Sequence, residues 1–235
     1  MRLDKFIGDT TELSRTDAKK AIKNGRVWVN GTTAKKPDIK VTEVDKVKLD
    51  ERELIHRKHY YIALNKPVGY VCSTRDPDYP TVSELLPAYV QHRELHAAGR
   101  LDVDTTGLVL LTDDGKWSHD ITSPRKQKEK VYQVTTESPI EESYVQAFAN
   151  GVYLDNDEKV TLPAKLEIHN ETHATLILTE GRYHQVKRMF ESVGNKVIAL
   201  HRSKIACFKL PGDLELGEYR ELSDKEASDI ISSTL

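Results

Sequence analysis

Gly99-Arg100-Leu101-Asp102-Val103-Asp104-Thr105-Thr106-Gly107-Leu108 runs straight into the apolar stretch Val109-Leu110-Leu111. An acid and an arginine in a polar turn therefore stand at the mouth of a buried strand. A carboxylate in that position is held by rigid structure yet still meets a substrate, which is where catalytic groups tend to sit. Taken alone, an Asp in such a loop reads as the cap of a turn. The rest of the chain has to decide.

Residues 60–64 read as a strand that leads into Asn65-Lys66-Pro67-Val68-Gly69-Tyr70. Pro67 and Gly69 suit a tight bend there, with Lys66 facing outward. On the other side, Lys130-Val131-Tyr132-Gln133-Val134 alternates as a strand and puts Tyr132 on the face of Lys130. A strand tyrosine is ordinary packing unless a catalytic acid lies beside it, where its ring can stack on a base drawn out of its helix. Antiparallel strands follow at 165–168 and 174–178, joined by a turn around Asn170.

Glu180-Gly181-Arg182-Tyr183-His184-Gln185-Val186-Lys187-Arg188-Met189-Phe190 comes next. Tyr183, Val186, Phe190 and Val193 recur at helical spacing, so an amphipathic helix is predicted that Gly194 ends. Lys187 then lies at the edge of the buried stripe, while Arg188 points away. A half-buried ammonium is costly unless a carboxylate compensates it, so Lys187 is the candidate partner of a buried acid, with a snorkelling lysine as the alternative. Ser223-Asp224-Lys225-Glu226 is a capping box opening a last helix.

The head of the chain differs from this body in charge. Residues 1–50 hold twelve Lys or Arg against eight Asp or Glu, a balance of +4, which leaves −6 for the other 185 residues of a chain whose net charge is −2. A basic head on an acidic body suits a protein that meets a polyanion with one region. Leu3, Phe6 and Ile7 mark a first helix, and Ser14 caps a second over residues 15–24, with Asp17 in its first turn and Gly25 as its left-handed stop. Residues 27–29, the Asn30-Gly31 turn and a following strand form a hairpin. Arg15, Lys19 and Lys23 share one face of the second helix, widened by Lys20 and Arg26, and this face is read as a phosphate-binding surface. Residues 49–59, rich in charge, are read as a connecting segment.

No window approaches the roughly 18 unbroken apolar residues of a membrane span. The N-terminus lacks the apolar core of a signal peptide, and Cys72 and Cys207 are isolated, so reduced thiols in a cytoplasmic protein are expected. His92 and His96 lie four apart with no third ligand nearby, and no metal site is expected.

G-R-L-D-x-x-T-x-G-L-x-L-L-T-x-D-G from Gly99, K-x-Y from Lys130 and E-G-R-Y-H-Q-V-K-R-M-F from Glu180 together resemble the pseudouridine synthases of the RsuA group. R-L-D, S-R-x-x-A and G-x-V-x-V-N-G in residues 1–48 resemble the RNA-binding module first seen in ribosomal small-subunit protein four. Ala206 stands where relatives often have Gly. The resemblance implies an α+β fold: a head over 1–48, and over 60–235 a catalytic domain on a mixed, mostly antiparallel sheet with flanking helices and a cleft across it. It implies Asp102 as nucleophile, Tyr132 as the ring against the target uracil, and Lys187 as the basic partner of Asp102. The implied RNA contacts are Arg2, Arg15, Lys19, Lys20, Lys23 and Arg26 in the head, and Lys66, Arg100, Arg182, His184, Arg188 and Arg202 in the body. No cofactor is implied. The implied partner is small-subunit ribosomal RNA, free or in a ribonucleoprotein assembly particle, met by a monomer. Two rival readings remain open at this point. One is a non-catalytic RNA-binding or assembly protein. The other takes Asp102-Val103-Asp104-Thr105-Thr106 as the D-x-D-x-T signature of a magnesium-dependent phosphatase, on a doubly wound parallel sheet.

Overall fold

The computed structural model describes all residues except Glu43, His56, His92, Asn156, Thr234 and Leu235. Of the His92–His96 pair, His92 therefore lies outside the described residues. Contacts divide the chain into two units, residues 1–59 with 86–95 and residues 60–85 with 96–235. Among the described residues no helix is long and apolar enough to cross a membrane.

In the smaller unit, helices α1 (Leu3–Thr10) and α2 (Arg15–Lys23) pack on a four-stranded antiparallel sheet. Ser14 Oγ accepts the Asp17 N–H at 3.1 Å, one of the four donors a helix start leaves unpaired. Strands β1 (Val27–Val29) and β2 (Thr32–Thr33) turn through Asn30 and Gly31, both at positive φ as a tight hairpin requires. Strands β3 (Val47–Leu49) and β4 (Arg52–Leu54) complete the order β2-β1-β3-β4. Leu3, Phe6 and Ile7 from α1 bury against Ala18 and Ile22 from α2 and Val27 and Val47 from the sheet. The segment expected to be a connector differs from that reading. Its residues 52–54 form β4, and Leu54 is buried in this core. One apolar residue in a charged stretch is a weak signal, but an edge strand needs only one face covered. Residues 86–95, carrying the short α3 (Ala88–Gln91), also cluster with this unit.

The larger unit is built on a nine-stranded sheet. Its strands are β5 (Tyr61–Lys66), β6 (His96–Ala97), β7 (Thr106–Thr112), β8 (Lys130–Thr136), β9 (Lys165–Ile168), β10 (His173–Leu178), β11 (Val197–Ile205), β12 (Phe208–Lys209) and β13 (Tyr219–Glu221). The order is β13-β5-β7-β11-β8-β10-β9, with β6 beside β7 and β12 beside β11. Among the described strands β7 and β11 form the one parallel pair, and every other pairing is antiparallel. The mixed, mostly antiparallel sheet implied by the motifs is thus present. The apolar run after the opening motif is buried from Gly107 to Thr112, as a central strand covered on both faces must be.

Among the described residues four α-helices flank this sheet: α4 (Gly115–Thr122), α5 (Ser143–Asn150), α6 (Gln185–Ser192) and α7 (Asp224–Ser232). The predicted capping box opens α7. Trp117 of α4 donates its indole N–H to the Ala227 carbonyl of α7 at 2.8 Å. Phe148 of α5 and Phe190 of α6 meet edge to face at 5.1 Å.

Gly107 explains why β7 and β11 lie side by side. At φ +104, a Cβ there would sit 2.3 Å from the Arg202 carbonyl oxygen and 2.7 Å from its nitrogen. No side chain fits that approach. Ala206 turns β11 into β12 at φ +53, a left-handed conformation that explains the preference for Gly at this place.

Candidate active site

The segment 99–105 leads into the start of β7, and around it opens a cleft of about 830 Å³, within the roughly 300–1,000 Å³ usual for ligand pockets. Asp102, Tyr132 and Lys187, some thirty and eighty-five residues apart in the chain, all line it. The Asp102 carboxylate is one-quarter exposed. Its Oδ2 lies 3.3 Å from Lys187 Nζ, and its Oδ1 lies 3.3 Å from His184 Nε2. Tyr132 projects from β8 and is largely buried, with the Arg202 guanidinium 6.0 Å from its ring centre.

Lys187 is shared between two acids, a point the sequence reading missed. Its Nζ donates to both carboxylate oxygens of Asp104, at 2.7 and 2.9 Å, and so holds Asp104 more closely than Asp102. Partial burial works against the ammonium, but the hydrogen bond to Asp104 and the charges of Asp102 and Asp104 outweigh it, so Lys187 titrates above an ordinary lysine. Burial likewise works to raise the Asp104 carboxyl, and the Lys187 hydrogen bond and charge overcome it, so this acid titrates below its usual range. The D-x-D spacing was the available signal for Asp104, since residues two apart in an extended turn can reach one cation.

Several residues read as RNA contacts are engaged elsewhere. Lys66 is not at a bend facing outward. It ends β5, is fully buried, and donates to the carbonyls of Pro67, Val103 and Thr105 at 3.0, 3.3 and 2.7 Å. Burial pushes its ammonium below the ordinary lysine range. Arg202 is 1% exposed and donates to the carbonyls of Leu108, Arg100 and Gly99 at 2.8, 3.3 and 2.8 Å. These two cations hold the Asp102 segment from opposite sides of β7, because buried carbonyls need donors and β5 and β11 supply them. Arg182 pairs with Glu180 and Asp157 and donates to the carbonyls of Lys159 and Val160. Arg188 donates to the Tyr183 and Asp155 carbonyls and pairs with Asp157 at 2.8 Å. Both guanidinium groups thus spend most of their donors on acceptors of the chain itself. His184 faces Asp102 inside the cleft.

Arg100 differs from these four. It is exposed at the cleft wall and makes no side-chain hydrogen bond or ion pair among the described residues. Lys130, buried on the Tyr132 face of β8, is a further cation of the cleft. Burial and the nearby Arg202 charge push it down to about 8 against a smaller opposing pull from Glu180. In the smaller unit, Arg15, Lys19 and Lys23 are exposed on α2 without an ion pair among the described residues, whereas Lys20 pairs with Asp17, Arg26 with Asp50 and Arg2 with Asp4.

A carboxylate flanked by an ammonium and an imidazole, with an aromatic ring in the same cleft, can attack an electrophilic carbon of a planar base or its sugar. The RNA pseudouridylate synthase family model matches residues 60–192, more than half of the chain. The chain belongs to this family of RNA pseudouridylate synthases.

The synthase also matches the S4 domain model over residues 1–47. It is 49% identical to the ribosomal small subunit pseudouridine synthase A of Escherichia coli (strain K12), over 98% of its own length and 100% of the relative's. Against the protein of the same name from Haemophilus influenzae it is 48% identical, again over 98% and 100%. A crystal structure of a pseudouridylate synthase superposes with a TM-score of 0.71 at 47% identity, covering 98% of the synthase and 99% of that chain. The rival readings fall here. A phosphatase of the D-x-D-x-T kind needs a doubly wound parallel sheet, and this sheet has one parallel pair among its described strands. The non-catalytic reading gives way to membership of an enzyme family.

Proposed function

We propose that this synthase converts a specific uridine of small-subunit ribosomal RNA to pseudouridine, with Asp102 as its nucleophile. The near full-length similarity to ribosomal small subunit pseudouridine synthases supports the substrate. The observation that carries the mechanism is the Asp102 carboxylate, held between Lys187 and His184 in a cleft that also contains Tyr132.

The reaction breaks the bond between N1 of uracil and C1′ of ribose, turns the base, and joins C1′ to C5. The C5 proton is lost and N1 gains one, so nothing is oxidised or hydrolysed. The uridine first leaves its stack, at a cost of a few kcal/mol that is least for an unpaired base. Tyr132 lies against the flipped uracil, Lys187 orients Asp102, and Asp104 in turn fixes Lys187. Arg100 holds the phosphate of the flipped nucleotide or fills the gap it leaves.

Residues 1–48 serve as the RNA anchor and 60–235 as the catalytic domain. Arg15, Lys19 and Lys23 lie on the exposed face of α2, where phosphates can reach them. The synthase works as a monomer in the cytoplasm, on RNA that is free or part of an assembly particle. Its two free cysteines fit a reducing compartment.

Mapping pseudouridines in ribosomal RNA from cells with and without the chain tests this reading. A single small-subunit site should vanish and return when the synthase is resupplied. Loss of a large-subunit site instead would refute the substrate while sparing the chemistry.

A further inference from the structure

Tyr183 departs furthest from its expected place. Helical spacing puts it on the buried face of α6, yet the helix starts at Gln185 and Tyr183 is 76% exposed on the wall of the cleft. The turn that carries it is firmly built. Arg182 N–H donates to Gln185 Oε1 at 2.8 Å, the Arg182 guanidinium is tied to Glu180 and Asp157, and Arg188 donates to the Tyr183 carbonyl at 3.0 Å. The Tyr183 ring stacks on the His184 imidazole, with centroids 3.7 Å apart and planes within 20°. His184 adopts a left-handed backbone, φ +48, and its Nε2 reaches to 3.3 Å from Asp102.

A large ring held open on a rigid turn forgoes the stabilisation that burial would give it. One face is covered by His184, and the high exposure leaves the other to solvent. We infer that Tyr183 is a stacking platform for an unpaired nucleobase beside the target uridine. Flipping one nucleotide breaks the stack on both sides of it, and a preordered aromatic face next to the nucleophile replaces one of those contacts. Preordering means that little conformational freedom is lost when RNA arrives. The inference rests on the proposed flipped-uridine chemistry. Tritium release from RNA labelled at uridine C5 by the unaltered synthase checks that chemistry separately.

The test uses transcribed small-subunit ribosomal RNA with tritium at uridine C5, and the same RNA with 2-aminopurine beside the mapped target. Tyr183→Ala should raise KM about tenfold with kcat within twofold. Tyr183→Phe should match the parent, and quenching of 2-aminopurine should survive in Phe and vanish in Ala. Tyr183→Leu, bulky but without a π-face, gives the same reading should alanine loosen the turn. Tyr153→Ala, 70% exposed and outside the cleft lining, is the control and should change neither constant. Unchanged KM in Tyr183→Ala and Tyr183→Leu overturns the inference. So does a fall in kcat at constant KM, which would put the residue in the support of Asp102. Equal impairment of Tyr183→Phe and Tyr183→Ala overturns it too, since the hydroxyl would then be the contact.

Discussion

Arg15, Lys19 and Lys23 of α2 stand in solvent with no ion pair among the described residues, whereas Lys66, Lys130 and Arg202 of the large sheet are buried and donate to backbone carbonyls. The residue types are the same and their surroundings are opposite. A solvated cation keeps its charge available to a phosphate that comes within a Debye length, about 8 Å at physiological salt. A buried one has its donors fixed by nearby carbonyls and acts on geometry. Counting positive residues near a motif therefore does not separate binding from architecture. Their acceptors do.

The contrast breaks most visibly at Arg202. Replacing Arg202 by Met should loosen the segment 99–102 and cut turnover about a hundredfold, because a misplacement of about 1 Å is enough for that, while affinity for RNA stays near that of the parent. A filter-binding titration beside single-turnover tritium release separates the two. If affinity falls and turnover at saturating RNA holds, Arg202 is a phosphate ligand after all. The reverse pattern is expected from the triple change Arg15→Ala, Lys19→Ala and Lys23→Ala. Affinity should drop about tenfold, the slope of log K against log salt should fall by about one per cation removed, and turnover at saturating RNA should persist.

The smallest effect is at Lys130. Its folded pKa of about 8 lies below the ordinary lysine value of 10.5. Below pH 8 both folded and unfolded chains hold this proton, and the full cost of burying the charge is felt. Between 8 and 10.5 the unfolded chain binds more protons, so this group's contribution to stability rises with pH. Urea melts of Lys130→Met should lack that rise relative to the parent, and an identical pH dependence would contradict the assignment.

Much of this arrangement was legible in the sequence. Strand and helix periods located β7, β8, α2 and α6 to within a few residues, and Ser14, Gly25, Gly194 and the Ser223–Glu226 box marked real ends. The motif resemblance brought Asp102, Tyr132 and Lys187 together, which no local pattern could do, since they come from three separate elements. What stayed hidden depends on contacts between distant segments. Lys66 beside a Pro-x-Gly turn looks exposed until β7 is laid against β5. Arg182 and Arg188 look free until Asp157 folds onto them from a loop whose position has no period. Tyr183 matched the helical stripe, but the helix starts two residues later and leaves it in the open.

In the proposed reaction the Asp102 carboxylate attacks the flipped nucleotide. Asp102→Asn preserves shape and removes the charge that this attack requires. Purified Asp102→Asn, assayed for tritium release from C5-labelled small-subunit ribosomal RNA, should lose at least about a thousandfold in rate while binding that RNA as tightly as the parent. An asparagine variant that still forms pseudouridine at a comparable rate would show that the carboxylate is not the nucleophile.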